Sequence, residues 1–97
     1  MKFVGPVGQS IHTKLVAAFD PIRLEVVDDS HRHAGHAGHN EGGESHFNLL
    51  IVSDAFVGLG RVERQRRVHQ VLSEELAGPV HALSIKASTS AEAEAAG

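Results

Sequence analysis

The chain contains no cysteine. That excludes disulfides, thiol catalysis and every thiolate metal site, so any metal handled here must be held by imidazole or carboxylate. Tryptophan and tyrosine are also missing, and phenylalanine occurs four times, which leaves Val, Leu, Ile and Ala to build the core. No apolar run approaches the roughly 20 residues that cross a bilayer. The first ten residues, with Gly5, Pro6 and Gly8, lack the apolar stretch of a secretory signal, and a cytoplasmic protein is the expectation. Net charge is −3 with histidine neutral, which gives no general attraction to nucleic acid or anionic membranes. The 97 residues leave room for one domain with a modest core.

The residue present in excess is histidine, at eight positions. Its placement depends on the elements. Residues 1–9 read as a flexible lead-in. Ser10 is suited to cap a helix in which Ile11, Leu15, Ala18 and Phe19 share a face, and Asp20-Pro21 ends it. Ile22 to Val26 alternates as a strand with one buried face. Residues 29–45 form a polar, Gly- and His-rich loop without periodicity. Phe47 to Val52 is a second strand, apolar enough to be covered on both sides. Ser53 to Gly60 reads as a turn with at most one or two helical turns. Arg61 to Leu76 returns to a period of 3.6, with Val68, Leu72 and Leu76 in line, and Gly78-Pro79 stops it. Val80 to Ile85 is the third strand, and residues 88–97 read as a flexible Ala/Glu/Ser tail with at most one weak helical turn. The order α-β-β-α-α-β describes an α+β domain over residues 10–87, with one three-stranded sheet and helices packed on one face.

Three constellations could carry chemistry. The loop holds His31, His33, His36 and His39, with His46 where the second strand begins. Neutral imidazole is a common ligand for Zn, Cu, Ni and Fe, yet the spacings of two and three residues in a Gly-rich loop do not preorganise a site. His81 differs because it follows the Gly78-Pro79 turn at the entrance to a strand and shares parity with Leu83 and Ile85. It reads either as a half-buried histidine bonded to backbone or as a fixed ligand facing the loop. Arg61, Arg64, Arg66 and Arg67 crowd the start of the long helix, with Glu74 and Glu75 near its end, an order opposed to the helix dipole. Glu63 offsets part of this through an i, i+4 pair with Arg67. An anion, a phosphate backbone or an acidic partner would explain the rest, as would ordinary scatter on a solvated face. No nucleophile elbow, P-loop or dinucleotide fingerprint occurs, and enzymatic activity is not expected.

Taken together, Leu24-Glu25-Val26-Val27-Asp28-Asp29-Ser30, Glu44-Ser45-His46-Phe47 and Val52-Ser53-Asp54-Ala55-Phe56 resemble the BolA family. Arg64-Gln65-Arg66-Arg67-Val68-His69, Glu74-Glu75-Leu76 and Gly78-Pro79-Val80-His81-Ala82-Leu83 extend the resemblance from about Ser10 to about Ala87. The resemblance implies a fold similar to the class II KH domain. It implies a monothiol glutaredoxin as partner in a heterodimer, with a bridged [2Fe–2S] cluster shared between the two proteins. The ligands it implies are His33 in the loop and His81 in the V-H-A-L strand. A chain without cysteine fits that division, since the thiolates that such clusters favour would come from the partner. Binding would weaken as the imidazoles protonate. Three features depart from the family pattern. The loop is longer and carries further histidines, so His31, His36 or His39 could stand in for His33. Gln65 occupies a position where many members have histidine, and the aromatic residue often found beyond the third strand is missing.

Two other functions compete. One is DNA-binding transcriptional regulation through the KH-like fold, with Arg64, Arg66 and Arg67 as phosphate contacts. The acidic net charge, the lack of an aromatic stacking platform and the absence of a G-x-x-G clamp weigh against it. The other is binding of Zn, Ni or Cu by the histidine loop alone.

Overall fold

The computed structural model describes residues 5–29 and 46–96. Helix α1 spans Pro6–Phe19, strand β1 Arg23–Asp28, strand β2 His46–Val52, and a single 3-10 turn Asp54–Phe56 follows. Helix α2 covers Arg61–Val71, α3 Ser73–Ala77, strand β3 Ala82–Ser88 and helix α4 Ser90–Ala96. The sheet order is β1-β2-β3, with β1 antiparallel to β2 and β3 parallel to it. This is the expected α+β arrangement, with one mixed three-stranded sheet.

Alternation along the strands sets which face is covered. Leu24 and Val26 in β1 lie across from Ile51 and Leu49 in β2, and Leu49 pairs with Ile85 in β3. These side chains meet Ile11, Leu15 and Phe19 of α1, Phe56 of the turn, and Val68 and Leu72 of the second helical segment. The other face carries Arg23, Glu25, Ala82, Ser84 and Lys86, all exposed, so the helices lie on one side only. β2 is therefore not covered on both faces as its composition suggests. Phe47, Leu49 and Ile51 are buried, whereas His46, Asn48 and Leu50 are half-buried.

The helices differ from expectation in three places. α1 starts at Pro6, with Gly5 as N-cap, four residues before Ser10. Proline at the first helical position supplies a preset φ and lacks an N–H that would go unpaired anyway. Ser10 sits inside the helix, and its hydroxyl donates to Glu75 Oε2 at 2.6 Å. Ala18, expected on the buried face, is exposed, because that face follows the row Gly8, Ile11, Leu15, Phe19. Asp20 ends α1 as anticipated, in a left-handed conformation (φ 45°) that aspartate tolerates.

The expected helix from Arg61 to Leu76 is divided at Leu72 (φ −102°, ψ 23°), although the Leu72 N–H still donates to Val68 O and the Leu76 N–H to Leu72 O, both at 3.0 Å. Residues read as a tail contain α4. Its start is a reciprocal capping box, in which the Thr89 N–H donates to Glu92 Oε1 (2.9 Å) and the Glu92 N–H donates to Thr89 Oγ1 (3.2 Å).

Candidate functional site

Parallel pairing of β2 with β3 brings two histidines to one end of the sheet. His46 is the first residue of β2 and lies opposite Ala82, the first of β3. His81 immediately precedes Ala82 and is exposed, while its neighbour Val80 is buried in the core and anchors the turn. The two imidazole rings lie 6.4 Å apart between centroids, inclined by 38°. The half-buried position suggested by parity with Leu83 and Ile85 does not apply, because His81 falls just outside the strand.

The segment between β1 and β2 is rooted at the same place. One bond beyond the β1–β2 register, the Asp29 N–H donates to the His46 carbonyl at 2.8 Å. The chain thus leaves the sheet at Asp29 and re-enters it at His46, beside His81. The loop candidates His31, His33, His36 and His39 lie outside the described residues. Among the described residues no three His, Asp or Glu side chains converge on a position suited to an ion. His12 and His69 are exposed on α1 and α2, and His69 Nδ1 sits 2.8 Å from the Gln65 carbonyl.

The arginines separate into two groups. Arg64 is turned inward, with a side chain 13% exposed. Its Nε donates to Leu59 O (2.9 Å), Nη1 donates to Ala87 O (3.1 Å), and the guanidinium grips Glu92 of α4 through Nη1 (2.6 Å) and Nη2 (3.1 Å). It also lies over the Phe56 ring at 5.9 Å. The Arg64 guanidinium, helped by the Thr89 amide, holds the Glu92 carboxyl down at about 2. Arg66 and Arg67 instead stay at the surface and both pair with Glu63, at 3.2 and 3.1 Å. The anion that the arginine-rich helix start calls for is thus partly internal. Gln65 takes part as well, donating Nε2 to Ile85 O at 3.0 Å. Together Arg64 and Gln65 cap two carbonyls on the outer edge of β3, which shields that edge from pairing with another strand.

Glu75 is buried (7% exposed) and ties α3 to α1. It accepts from Ser10 and lies 2.9 Å from Lys14 Nζ, which also reaches Glu74 at 2.7 Å. Burial alone would push the Glu75 carboxyl up. The Ser10 and Lys14 hydrogen bonds outweigh it and leave the carboxyl below its ordinary value.

A family model described as BolA-like protein matches residues 15–92. The chain belongs to the BolA family. It is 48% identical over 93 residues to SufE-like protein 1, chloroplastic/mitochondrial, of Arabidopsis thaliana, covering 92% of this chain but 25% of that protein. BolA-like protein 1 of Bos taurus is 48% identical over 89 residues, 92% of this chain and 63% of its own length. The chain thus spans less than two thirds of either relative. The DNA-binding transcriptional regulator BolA of Escherichia coli is 45% identical over 86 residues, covering 89% of this chain and 78% of that one. In structure, the BolA domain of SufE1 from A. thaliana superposes with a TM-score of 0.83 at 49% identity, over 93% of this chain and 99% of that one. The BolA-named relatives are described as BolA-like or as a regulator, not as enzymes. Among the described residues of this BolA-family chain, no helix is long and apolar enough to cross a membrane.

Of the expected site residues, His81 lies beside His46 at one end of the sheet, and Arg64, Arg66 and Arg67 lie on α2. Sequence reasoning noted His46 at the loop's end without pairing it to His81. It also passed over Glu92, although Thr89-Ser90-Ala91-Glu92 carries the T-x-x-E spacing of a capping box.

Proposed function

We propose that this BolA-family protein is a non-enzymatic partner of a monothiol glutaredoxin and shares a bridged [2Fe–2S] cluster with it, in iron–sulfur and iron homeostasis. His81 supplies one imidazole. A histidine of the 29–45 segment supplies the other, His33 by the family pattern, with His31, His36 and His39 as alternatives. The observation that carries the reading is the exposed His81 beside both roots of that segment. His33 follows Asp29 by four residues, a reach of up to about 14 Å in extended chain. The chemistry of the donor set fits as well. A chain without cysteine offers only imidazole and oxygen donors, so thiolates must come from the partner. Replacing thiolate with imidazole lowers the negative charge at a cluster and raises its potential.

The test is a visible circular-dichroism titration of the full chain into cluster-loaded monothiol glutaredoxin, with His33→Ala and His81→Ala alongside. A new saturating spectrum that His81→Ala abolishes is expected, and the His33→Ala trace assigns the loop ligand. A spectrum that the parent protein leaves unchanged refutes cluster sharing.

A second reading, transcriptional regulation through DNA, draws on the name of the E. coli relative. In this chain Arg64 is committed to intramolecular partners, so phosphate contacts would fall to Arg61, Arg66 and Arg67. Binding that falls steeply with salt would favour it.

A further inference from the structure

We propose that Glu75 is the positioning residue for His81, its carboxylate locked to α1 while its own carbonyl holds the turn that presents the imidazole. The turn between α3 and β3 spans Gly78 to Val80. Pro79 has no N–H, so the turn has two amide donors, and both go to one acceptor. The Gly78 N–H reaches the Glu75 carbonyl at 3.2 Å and the Val80 N–H reaches it at 3.0 Å. His81 follows at once, exposed, with Ala82 already in β3. The place of His81 is therefore set from the place of the Glu75 carbonyl.

What fixes Glu75 is its side chain. α3 has five residues and is divided from α2 at Leu72, too short to hold an orientation by itself. Ser10 Oγ donates to Glu75 Oε2 at 2.6 Å, and Lys14 Nζ donates to Oε1 at 3.1 Å. These donors stand one turn apart on α1, next to the fully buried Ile11 and Leu15, so both carboxylate oxygens are tied to a helix seated in the core. For stability alone an apolar side chain of similar volume would serve as well, because burying a carboxylate costs solvation that its partners only offset. What an apolar side chain lacks is direction. Two directed bonds to one helix fix the rotation of α3 about its axis and its height along α1, and with them the carbonyl that carries the turn. That His81 is a cluster ligand rests on the function proposed above; that Glu75 sets its position does not.

The experiment compares the full chain with Glu75→Leu, Glu75→Gln and Thr89→Ala. The last removes the α4 cap at the other end of β3 and is the control for lost stability. In the titration into cluster-loaded monothiol glutaredoxin, Glu75→Leu should raise the midpoint about tenfold, the lower end of the range for replacing a residue that supports a metal ligand. Glu75→Gln, whose amide can accept from Lys14 and donate to the Ser10 hydroxyl, should recover most of that loss. Thr89→Ala should lower the Tm without moving the midpoint. By NMR on the isolated chain, Glu75→Leu should speed exchange of the Val80 amide and lower the backbone order parameter at His81. Parental exchange at Val80 and parental order at His81 in Glu75→Leu would overturn the proposal, as would a midpoint that follows the Tm across all three variants. If the unaltered chain leaves the glutaredoxin spectrum unchanged, cluster sharing fails and the NMR comparison alone decides the role of Glu75. Should Glu75→Leu not fold, Ser10→Ala removes one of the two bonds and keeps the carboxylate. Faster Val80 exchange is expected there too, and parental exchange counts against the proposal.

Discussion

Replacing Arg64 with alanine should destabilise the fold far more than replacing either of its arginine neighbours. The side chain is 13% exposed and bonds the carbonyls of Leu59 and Ala87. A hydrogen bond from a charged donor contributes about 1.5–3 kcal/mol. Both carbonyls are part-buried, so water would recover some of this, and about 1 kcal/mol each is the expected loss. Removing the cation from the face of Phe56 adds about 0.5–1 kcal/mol. The Glu92 pair is left out of this figure because its carboxylate stands in solvent. The sum is about 2.5–3 kcal/mol, and at roughly 4–8 °C per kcal/mol for a domain of this size the Tm should fall by about 10–24 °C. Arg64→Lys should recover only part of the loss, since an ammonium cannot fork to both carbonyls and a carboxylate. Arg66→Ala and Arg67→Ala, at 62% and 50% exposure, should change stability by no more than about 0.5 kcal/mol. Urea and thermal unfolding followed by far-UV circular dichroism would measure all four. An Arg64→Ala protein within about 0.5 kcal/mol of the parent, or an equal loss at Arg66, would refute the argument. The comparison also guards any DNA-binding assay, because lost binding in Arg64→Ala would report unfolding unless the fold is checked first.

Acid should weaken the fold through two carboxylates. Glu75 and Glu92 both titrate below the ordinary value of 4.5, so the stability they contribute is complete above that pH and drains away as pH falls, for Glu92 through about 2. Unfolding free energy measured from pH 6 to pH 2 should decline with a slope that Glu75→Gln and Glu92→Gln each reduce, and an unaltered slope in both would contradict the assignment. Leu72→Ala, at a fully buried side chain where the helix divides, should cost about 2–5 kcal/mol in urea unfolding. Gln65→Ala should cost about 0.5–1.5 kcal/mol by freeing the Ile85 carbonyl, and hydrogen exchange along the outer edge of β3 should rise, with unchanged exchange counting against the capping role.

Local patterns in the sequence carried most of the architecture. The period of two in Leu24–Val26 and the shared parity of Leu83 and Ile85 named the core-facing side of β1 and β3, and the spacing of Val68, Leu72 and Leu76 named the buried line of the long helix, whereas the continuous apolar run of β2 hid the alternation that buries Phe47, Leu49 and Ile51 alone. Where two local signals compete, side-chain chemistry alone does not decide between them. Ser10 has the chemistry of a cap, yet Gly5-Pro6 is the start signal, and Ser10 serves Glu75, sixty-five positions away. α4 is short and lacks an apolar stripe, and a seven-residue helix is unstable alone. Its stability comes from tertiary ties, Glu92 to Arg64 and Ser90 to Asp54, that no local window contains.

The histidine site was legible residue by residue but not as a site, and strand direction explains why. His46 and His81 each stand at the entrance to a strand, thirty-five positions apart in the chain. Had β3 run antiparallel to β2, His81 would lie at the far end of the sheet, about 20 Å away over six residues at 3.3 Å each. The α2–α3 crossover makes the pair parallel, so both strand entrances fall at one end. β1 runs antiparallel to β2, which brings its exit at Asp29 to that same end. One choice of direction at each pairing therefore gathers His46, His81 and both roots of the histidine-rich segment. Moving the histidine three positions inward, as His81→Ala with Ser84→His on the exposed face of β3, should for the same reason abolish any function that needs it beside His46 while leaving the core untouched, and the same circular-dichroism titration would read the loss.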